Sequence, residues 1–84
     1  MSKLFQRAIR IQVSEGVHYE PIMLLYRGRQ EKVAEILKQW RVTRCWWSKG
    51  IQREYFQIRT EAGVAGELYR DLLTGTWYLQ RVYD

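Results

Sequence analysis

The stretch that decides the fold is residues 52–60, which read Q-R-E-Y-F-Q-I-R-T. Phe56 and Ile58 fall on one side of an extended chain. The alternate positions on the other side are Arg53, Tyr55, Gln57 and Arg59. A period of two is typical of a β-strand with one face in the core and the other face outward. This stretch therefore predicts a strand with an apolar face and a cationic, aromatic face.

The same pattern extends in both directions from this strand. Short alternating or apolar runs bounded by turn residues occupy residues 8–14, 22–27, 43–47, 64–72 and 76–83. Gly28, Gly63 and Gly75 lie between successive runs, where glycine favours a turn. Five to seven short strands at this spacing predict an all-β fold, a small antiparallel barrel or a strongly bent sheet.

Residues 31–42 fit two patterns. Val33, Ile36, Leu37 and Trp40 have the spacing of one helical face, and the segment is rich in helix formers. No capping residue precedes it. As a strand, the segment would place Ala34, Ile36, Trp40 and Val42 on one face, with Lys38 as the exception. Local pattern slightly favours a helix, so the alternative to the all-β fold is α+β with one helix at residues 31–41.

The length bounds the architecture. Eighty-four residues make one domain, which we predict to span residues 8–84 behind an N-terminal arm of residues 1–7. Aromatic residues make up 14% of the chain, and large rings can build a small core. The predicted core consists of Ile9, Ile11, Leu24, Ile36, Trp40, Trp47, Phe56, Ile58, Leu68, Trp77 and Leu79.

The charge balance predicts the class of partner. The net charge is +5, which favours a polyanion, with nucleic acid first. The single Cys45 and single His18 exclude a disulfide within the chain and the common zinc ligand sets. The first residues contain no run resembling a signal peptide, and no apolar stretch is long enough to cross a membrane. We therefore expect a cytoplasmic protein with no cofactor, no metal and no membrane partner.

The sequence contains no pattern that indicates catalysis. His18 lies in a loop without a second imidazole or a paired nucleophile, and the carboxylates have no metal-site spacing. The glycines are dispersed at turns rather than gathered in a phosphate-binding loop. We therefore predict a binding module rather than an enzyme.

The tandem Trp46-Trp47 sits next to a predicted turn within residues 48–51. Neighbouring strand residues point to opposite faces, so only one indole can enter the core. A two- or four-residue loop places Trp47 opposite Gln52 and Trp46 opposite Arg53. Trp46 is then predicted to lie outside, and Trp47 inside with Phe56. A three- or five-residue loop reverses this assignment.

The outward face combines guanidinium groups with rings, which suits phosphates and stacked bases. The candidate nucleic-acid-binding residues are Arg44, Trp46, Lys49, Arg53, Tyr55 and Arg59, with Arg27 and Arg29 at a separate turn. Two other interpretations stay open: a purely structural cation–π arrangement, and a surface that docks a protein.

The second half of the chain resembles a known family. The motifs are Tyr26-Arg27-Gly28-Arg29, Trp40-Arg41, Trp46-Trp47, Arg53-Glu54-Tyr55-Phe56 and Thr74-Gly75-Thr76-Trp77-Tyr78-Leu79. Over roughly residues 20–84 they resemble a small bacterial family of unknown function. A similar module is found at the C-terminal end of ImuB-type Y-family polymerase-like proteins, which act in damage-tolerant DNA synthesis. The resemblance implies a strand rather than a helix after residue 29.

Two hypotheses for the function follow. The first is a non-enzymatic accessory module that binds single-stranded nucleic acid without sequence preference; the repair or damage-tolerance setting comes from the resemblance alone. The alternative is an adaptor that docks onto a polymerase or replication partner through exposed aromatic residues or an unpaired sheet edge.

Overall fold

Six antiparallel strands form a closed barrel in the order β1-β2-β3-β4-β5-β6, with β1 pairing with β6. The computed structural model describes residues 2–46 and 49–83, with side chains for residues 8–44 and 50–83. The strands are β1 (Ser2–Glu15), β2 (Pro21–Tyr26), β3 (Arg29–Trp46), β4 (Lys49–Thr60), β5 (Ala65–Asp71) and β6 (Trp77–Tyr83). The predicted all-β barrel is confirmed.

Tight turns with left-handed residues join the strands. Arg27 and Gly28 have φ angles of 52° and 74° between the paired residues Tyr26 and Arg29. Two successive positive φ values define the type I′ turn, whose twist matches that of a hairpin. Gly63 and Gly75, with φ angles of 91° and 77°, lie at the β4–β5 and β5–β6 turns. The predicted turns at these three glycines are confirmed.

The core lies under β4, β5 and β6. It consists of Leu24, Phe56, Ile58, Leu68, Trp77, Leu79 and Val82, and the rings of Phe56 and Trp77 are 5.4 Å apart. All of these except Val82 were predicted. Ile11 and Val13 of β1 are partly buried against the cluster. The inward assignment of Phe56 and Ile58 is confirmed by their burial.

Three predicted core residues do not lie in the core. Ile9 and Ile36 are 47% and 36% exposed, and Trp40 is half-buried on the outer face. Ile36 stays on the inward side, opposite Ile58, whereas Trp40 is turned outward because β3 has register shifts between Val33 and Glu35 and between Ile36 and Lys38. Each bulge inserts one residue and reverses the side that the following residues face. The prediction for Trp47 lies outside the described residues.

The helix considered for residues 31–41 is wrong, because β3 runs through this segment without interruption. Its helical spacing has a physical explanation. Two bulges in a strand add residues between inward positions, so Val33, Ile36 and Gln39 face inward at intervals of three. That spacing imitates one helical face, while the pairing with β4 stabilises the extended chain.

The predicted register of the β3–β4 hairpin is wrong. β4 begins at Lys49, with Trp46 opposite Lys49, and Arg53 lies opposite Val42 rather than opposite Trp46. The turn was predicted within residues 48–51, but β4 already begins at Lys49 and Gly50 continues the strand without a positive φ. The observed register differs from the predicted one by an even number of positions. Arg44 therefore lies on the outward face, as predicted, together with Arg53. The facing of the tandem indoles lies outside the described side chains.

The β3–β4 hairpin is longer than its neighbours. β5 pairs with β4 only as far as Arg53, opposite Asp71, so the hairpin continues beyond β5 as two strands. At its base Arg41 donates to Glu54 at 2.8 Å and Gln39 donates to the same carboxylate. Glu54 is on the inward side of β4, where a carboxylate needs partners. It lies at the rim of the barrel, and Arg41 and Gln39 supply those partners.

The backbone of Ser2–Leu4 pairs with Tyr83–Arg81 of β6, and β1 is one strand from Ser2 to Glu15. The division into an arm at residues 1–7 and a domain at residues 8–84 stays a prediction.

Candidate nucleic-acid interface

A row of aromatic side chains crosses the outer face of four neighbouring strands. The register places Trp40 opposite Tyr55, Tyr55 opposite Tyr69, and Tyr69 opposite Tyr78. Successive ring centroids lie 5.2, 5.1 and 5.0 Å apart. The row ends on β1, where Arg10 lies opposite Tyr78. We call these four rings the outer aromatic row. Each strand contributes one ring because directly opposed residues share a face.

Cationic groups lie over this row. The ammonium of Lys38 is 5.5 Å from the centre of the Trp40 ring, and the guanidinium of Arg53 is 4.5 Å from that of Tyr69. Both distances allow a cation–π attraction. Arg44 is exposed and lies opposite Ile51, two residue pairs beyond the Val42–Arg53 pair. The outer face of the hairpin therefore carries three cations around one end of the aromatic row.

Arg53 is the group most firmly fixed in this arrangement. Its guanidinium donates to the Tyr55 hydroxyl at 3.3 Å, and this hydrogen bond raises the pKa of Arg53 above its ordinary value. Burial raises the pKa of Tyr69, which the nearby Arg53 charge partly opposes. At neutral pH the face thus holds a permanent cation, Arg53, beside the neutral phenol of Tyr69.

The four rings differ in accessibility. Tyr55 and Tyr69 are only 9% and 6% exposed because neighbouring rings cover both of them. Tyr55 was predicted as a ring for stacking bases, but its position inside the row makes it a support for Trp40 and Arg53. Trp40 and Tyr78, at the two ends, are half-buried and each retains open surface. Stacking by a ligand can therefore occur at the ends of the row.

Acidic residues limit the extent of the cationic surface. Arg59 forms an ion pair with Glu35, so this predicted site residue is partly neutralised. Asp71 lies opposite Arg53, and Glu67 lies opposite Arg81 and accepts from the Tyr83 hydroxyl. The surplus of positive charge is thus concentrated toward β3, at Lys38 and Arg44.

The structure does not bring the predicted site residues into one patch. Arg27 and Arg29 lie at the β2–β3 turn, at the opposite end of β3 from Arg44. Arg44 and Arg53 lie near the aromatic row, as expected for one surface. The side chains of Trp46 and Lys49 lie outside the described part of the chain.

Sequence reasoning missed several residues of this face. Lys38 and Trp40 were missed because bulges in β3 are not visible in a two-residue period. Tyr69 and Tyr78 could have been found, since Leu68 and Leu79 were assigned inward and their neighbours must face outward. To predict that those two rings are neighbours, one also needs the register between β5 and β6 across the Gly75 turn. A single sequence specifies that register only weakly.

A second polar cluster lies near the end of β1. The Glu15 carboxylate accepts from Trp77 Nε1 at 2.6 Å and from Arg70 Nε at 3.1 Å. Arg70 also lies 4.9 Å from the centre of the Tyr19 ring. These groups satisfy one another and join β1 to β5 and β6, which is a structural role.

Among the side chains of residues 8–44 and 50–83, no group of three or more His, Cys, Asp or Glu is placed to hold a metal ion. Over the same residues, no helix is long and apolar enough to cross a membrane.

The chain matches a family model over residues 2–84 and therefore belongs to that family, which is described as a domain of unknown function (DUF6504). No curated protein and no solved structure matches the chain. The match covers the whole barrel, including β1, which the resemblance noted from the sequence did not include.

Proposed function

We propose that this barrel is a non-enzymatic module that binds single-stranded nucleic acid without sequence preference on the outer face of β3 and β4. The observation that carries the proposal is the end of the outer aromatic row, where the half-buried Trp40 ring lies beside Lys38, with Arg53 over the Tyr69 ring and Arg44 farther along the same face of the hairpin. A ring with open surface beside several cations is the chemistry of a single-strand site.

The spacing of these groups supports an extended strand as the ligand. Outward residues of one strand are about 6.7 Å apart, twice the rise per residue. Lys38, Trp40, Val42 and Arg44 follow one another at this interval, and Arg53 lies beside Val42. The cations can contact phosphates of neighbouring nucleotides while Trp40 stacks on a base. Contacts to phosphates and ring faces do not distinguish one base from another.

The experiment is a titration of a fluorescently labelled oligothymidylate at several salt concentrations. Each phosphate contact adds about 0.7 to the slope of log K against log salt for a single strand. The double variant Lys38→Gln/Arg44→Gln should lower that slope by about 1.4 and weaken binding at low salt.

The matched control is Arg27→Gln/Arg29→Gln, which removes the same charge from the far end of β3. It should leave the slope nearly unchanged. Equal losses in the two double variants would show that net charge rather than this site attracts the oligonucleotide, and a wild-type affinity independent of salt would refute the proposal.

We place this activity in a DNA repair or damage-tolerance setting in the cytoplasm. This part of the proposal rests on the motifs shared with ImuB-type proteins and on the basic charge. Its test is whether deleting the gene raises the sensitivity of its host to DNA-damaging agents. Unchanged survival would refute the role in DNA repair or damage tolerance, but it would not refute the proposal that the barrel binds nucleic acid.

A second candidate is an adaptor that docks onto a polymerase or replication partner. One observation favours it: over the described residues, β3 pairs with β2 only at residues 29–32, and its edge on that side has no partner strand over residues 33–46. An unpaired edge can accept a strand from another chain.

A further inference from the structure

The unpaired edge of β3 divides into two parts of different geometry. Over residues 33–37 the two bulges, at Ala34 and Leu37, interrupt the pairing with β4. From Lys38 to Trp46 the pairing with β4 continues without a register shift. Bulges protect an edge because they displace its hydrogen-bonding groups from the straight line that an added strand needs. The regular part, from Lys38 onward, is therefore the part that can accept a strand.

The side chains along this regular part specify the charge of the strand that it accepts. Lys38, Arg41 and Arg44 recur at every third position of residues 38–44, and no acidic residue occurs among them. Lys38 and Arg44 face outward, and Arg41 lies on the other face, where it contacts the Glu54 carboxylate of β4. The outward face of an added strand would therefore meet Lys38 and Arg44. Its other face would meet the Arg41 guanidinium, whose charge Glu54 partly neutralises but which retains N–H donors for a second carboxylate.

Two copies of this edge do not suit each other. An antiparallel pair centred on Arg41 would place Lys38 of each copy opposite Arg44 of the other, and Arg41 opposite itself. Like charges directly opposite across strands are destabilising. The edge therefore disfavours self-association, and a strand with acidic residues at the matching interval is the complementary partner.

We propose that residues 38–44 of β3 form a docking edge for an extended, acidic segment of another protein, which adds to the sheet as a seventh strand. Backbone hydrogen bonds supply the attachment, and carboxylates spaced three residues apart select the partner through Lys38, Arg41 and Arg44. The inference deepens the adaptor candidate, on which it rests. Because Lys38 and Arg44 also belong to the proposed nucleic-acid site, an acidic strand and an oligonucleotide would compete for them, and only the strand would depend on backbone N–H groups.

The test uses the nine-residue peptide acetyl-TEVTEVTET-amide, whose carboxylates have the required interval. Titration into ¹⁵N-labelled full-length protein should shift the amide signals of residues 38–44 and slow their hydrogen exchange. Two further peptides carry N-methyl groups on alternate residues, one on each edge of the peptide. Methylation of the docked edge removes its N–H donors, so one of these two peptides should fail to bind.

Charge variants test the selectivity of the edge. Lys38→Glu/Arg44→Glu should weaken the acidic peptide by about five- to twenty-fold, given the usual strength of exposed ion pairs. The same variant should bind acetyl-TKVTKVTKT-amide, which the wild type rejects. Gain of the basic peptide also shows that the variant is folded. The matched control is Lys32→Glu, an exposed position of β3 that is already paired with β2, and it should bind the acidic peptide as the wild type does.

The outcomes distinguish the docking-edge inference from the adaptor candidate on which it rests. Equal binding of both methylated peptides would mean that the cations hold an anionic peptide without strand addition, and the inference would be overturned. Binding of basic or neutral peptides with the same dependence on N–H groups would overturn the acidic preference and keep the adaptor candidate. Failure of every peptide to bind would refute both the docking-edge inference and the adaptor candidate.

Discussion

The two sides of β4 bury aromatic rings in different ways. Phe56 faces inward, is 2% exposed, and lies 5.4 Å from the Trp77 ring within the apolar core. Its neighbour Tyr55 faces outward and is 9% exposed, because it lies between Trp40 and Tyr69. The exposed fractions are similar, but the first ring is covered by the barrel and the second by other rings of its own row.

This difference shows that burial alone does not identify the core of a small barrel. The inner layer is limited by the space that six short strands enclose. The outer aromatic row adds a second apolar layer on the surface, where hydroxyl groups retain polar partners such as Arg53. Because water can enter when an outer ring is removed, each outer ring should stabilise the fold less than an inner side chain of comparable burial.

The largest effect is expected in the inner layer, for Leu68→Ala. Leu68 has no exposed surface, and it lies in the centre of the core cluster. Removing a buried leucine side chain leaves a cavity that water does not stabilise and costs about 2–5 kcal/mol in the free energy of unfolding. Urea denaturation monitored by tryptophan fluorescence measures this loss. A change below that of the outer variant described next would contradict the distinction between the two layers.

An intermediate effect is expected for Tyr69→Ala, which removes a ring from the middle of the outer aromatic row. Tyr69 contacts the rings of both Tyr55 and Tyr78. Each aromatic pair contributes about 0.5–1.5 kcal/mol beyond the apolar area that it buries, so the loss of two pairs should lower the free energy of unfolding by at least about 1–3 kcal/mol. The same denaturation experiment applies.

The control for this variant is Tyr69→Phe. It keeps both ring contacts and the cation–π contact with Arg53, whose centre lies 4.5 Å from the ring. It should unfold close to the wild type. A loss in Tyr69→Phe as large as in Tyr69→Ala would mean that the hydroxyl, rather than ring packing, stabilises the row.

The inner layer could be predicted from the sequence more completely than the outer one. Phe56, Ile58, Leu68 and Leu79 follow a strict alternation, so their inward positions required only a period of two. The outer row depends on which residues of four strands lie opposite one another. That register depends on turn lengths and bulges, which a single alternating pattern does not specify.

Two particular residues show where this reasoning fails. Trp40 was assigned to the core because it shares a simple strand face with Ile36, but the intervening bulge at Leu37 turns it outward. Ile9 alternates correctly with Ile11 but is 47% exposed, since the β1–β2 register ends at Gln12 opposite Leu25 and, over the described residues, β2 does not pair with Ile9. Alternation gives the face of a residue, whereas its burial depends on what lies above that face.

The smallest effect on stability is expected at the end of the outer row, for Trp40→Ala. Among the described side chains Trp40 has one ring neighbour, Tyr55, so the free energy of unfolding should fall by at least about 0.5–1.5 kcal/mol. Its effect on oligonucleotide binding should be the larger one, about 1–3 kcal/mol, because the proposed site uses this ring to stack a base.

The matched control is Tyr78→Ala, at the other end of the row. It also loses one ring contact but lies farther from Lys38 and Arg44. Similar stability losses with a binding loss confined to Trp40→Ala would separate the supporting role of the row from recognition. Equal binding losses in both variants would mean that the row supports the surface as a whole and that Trp40 has no contact of its own with the nucleic acid.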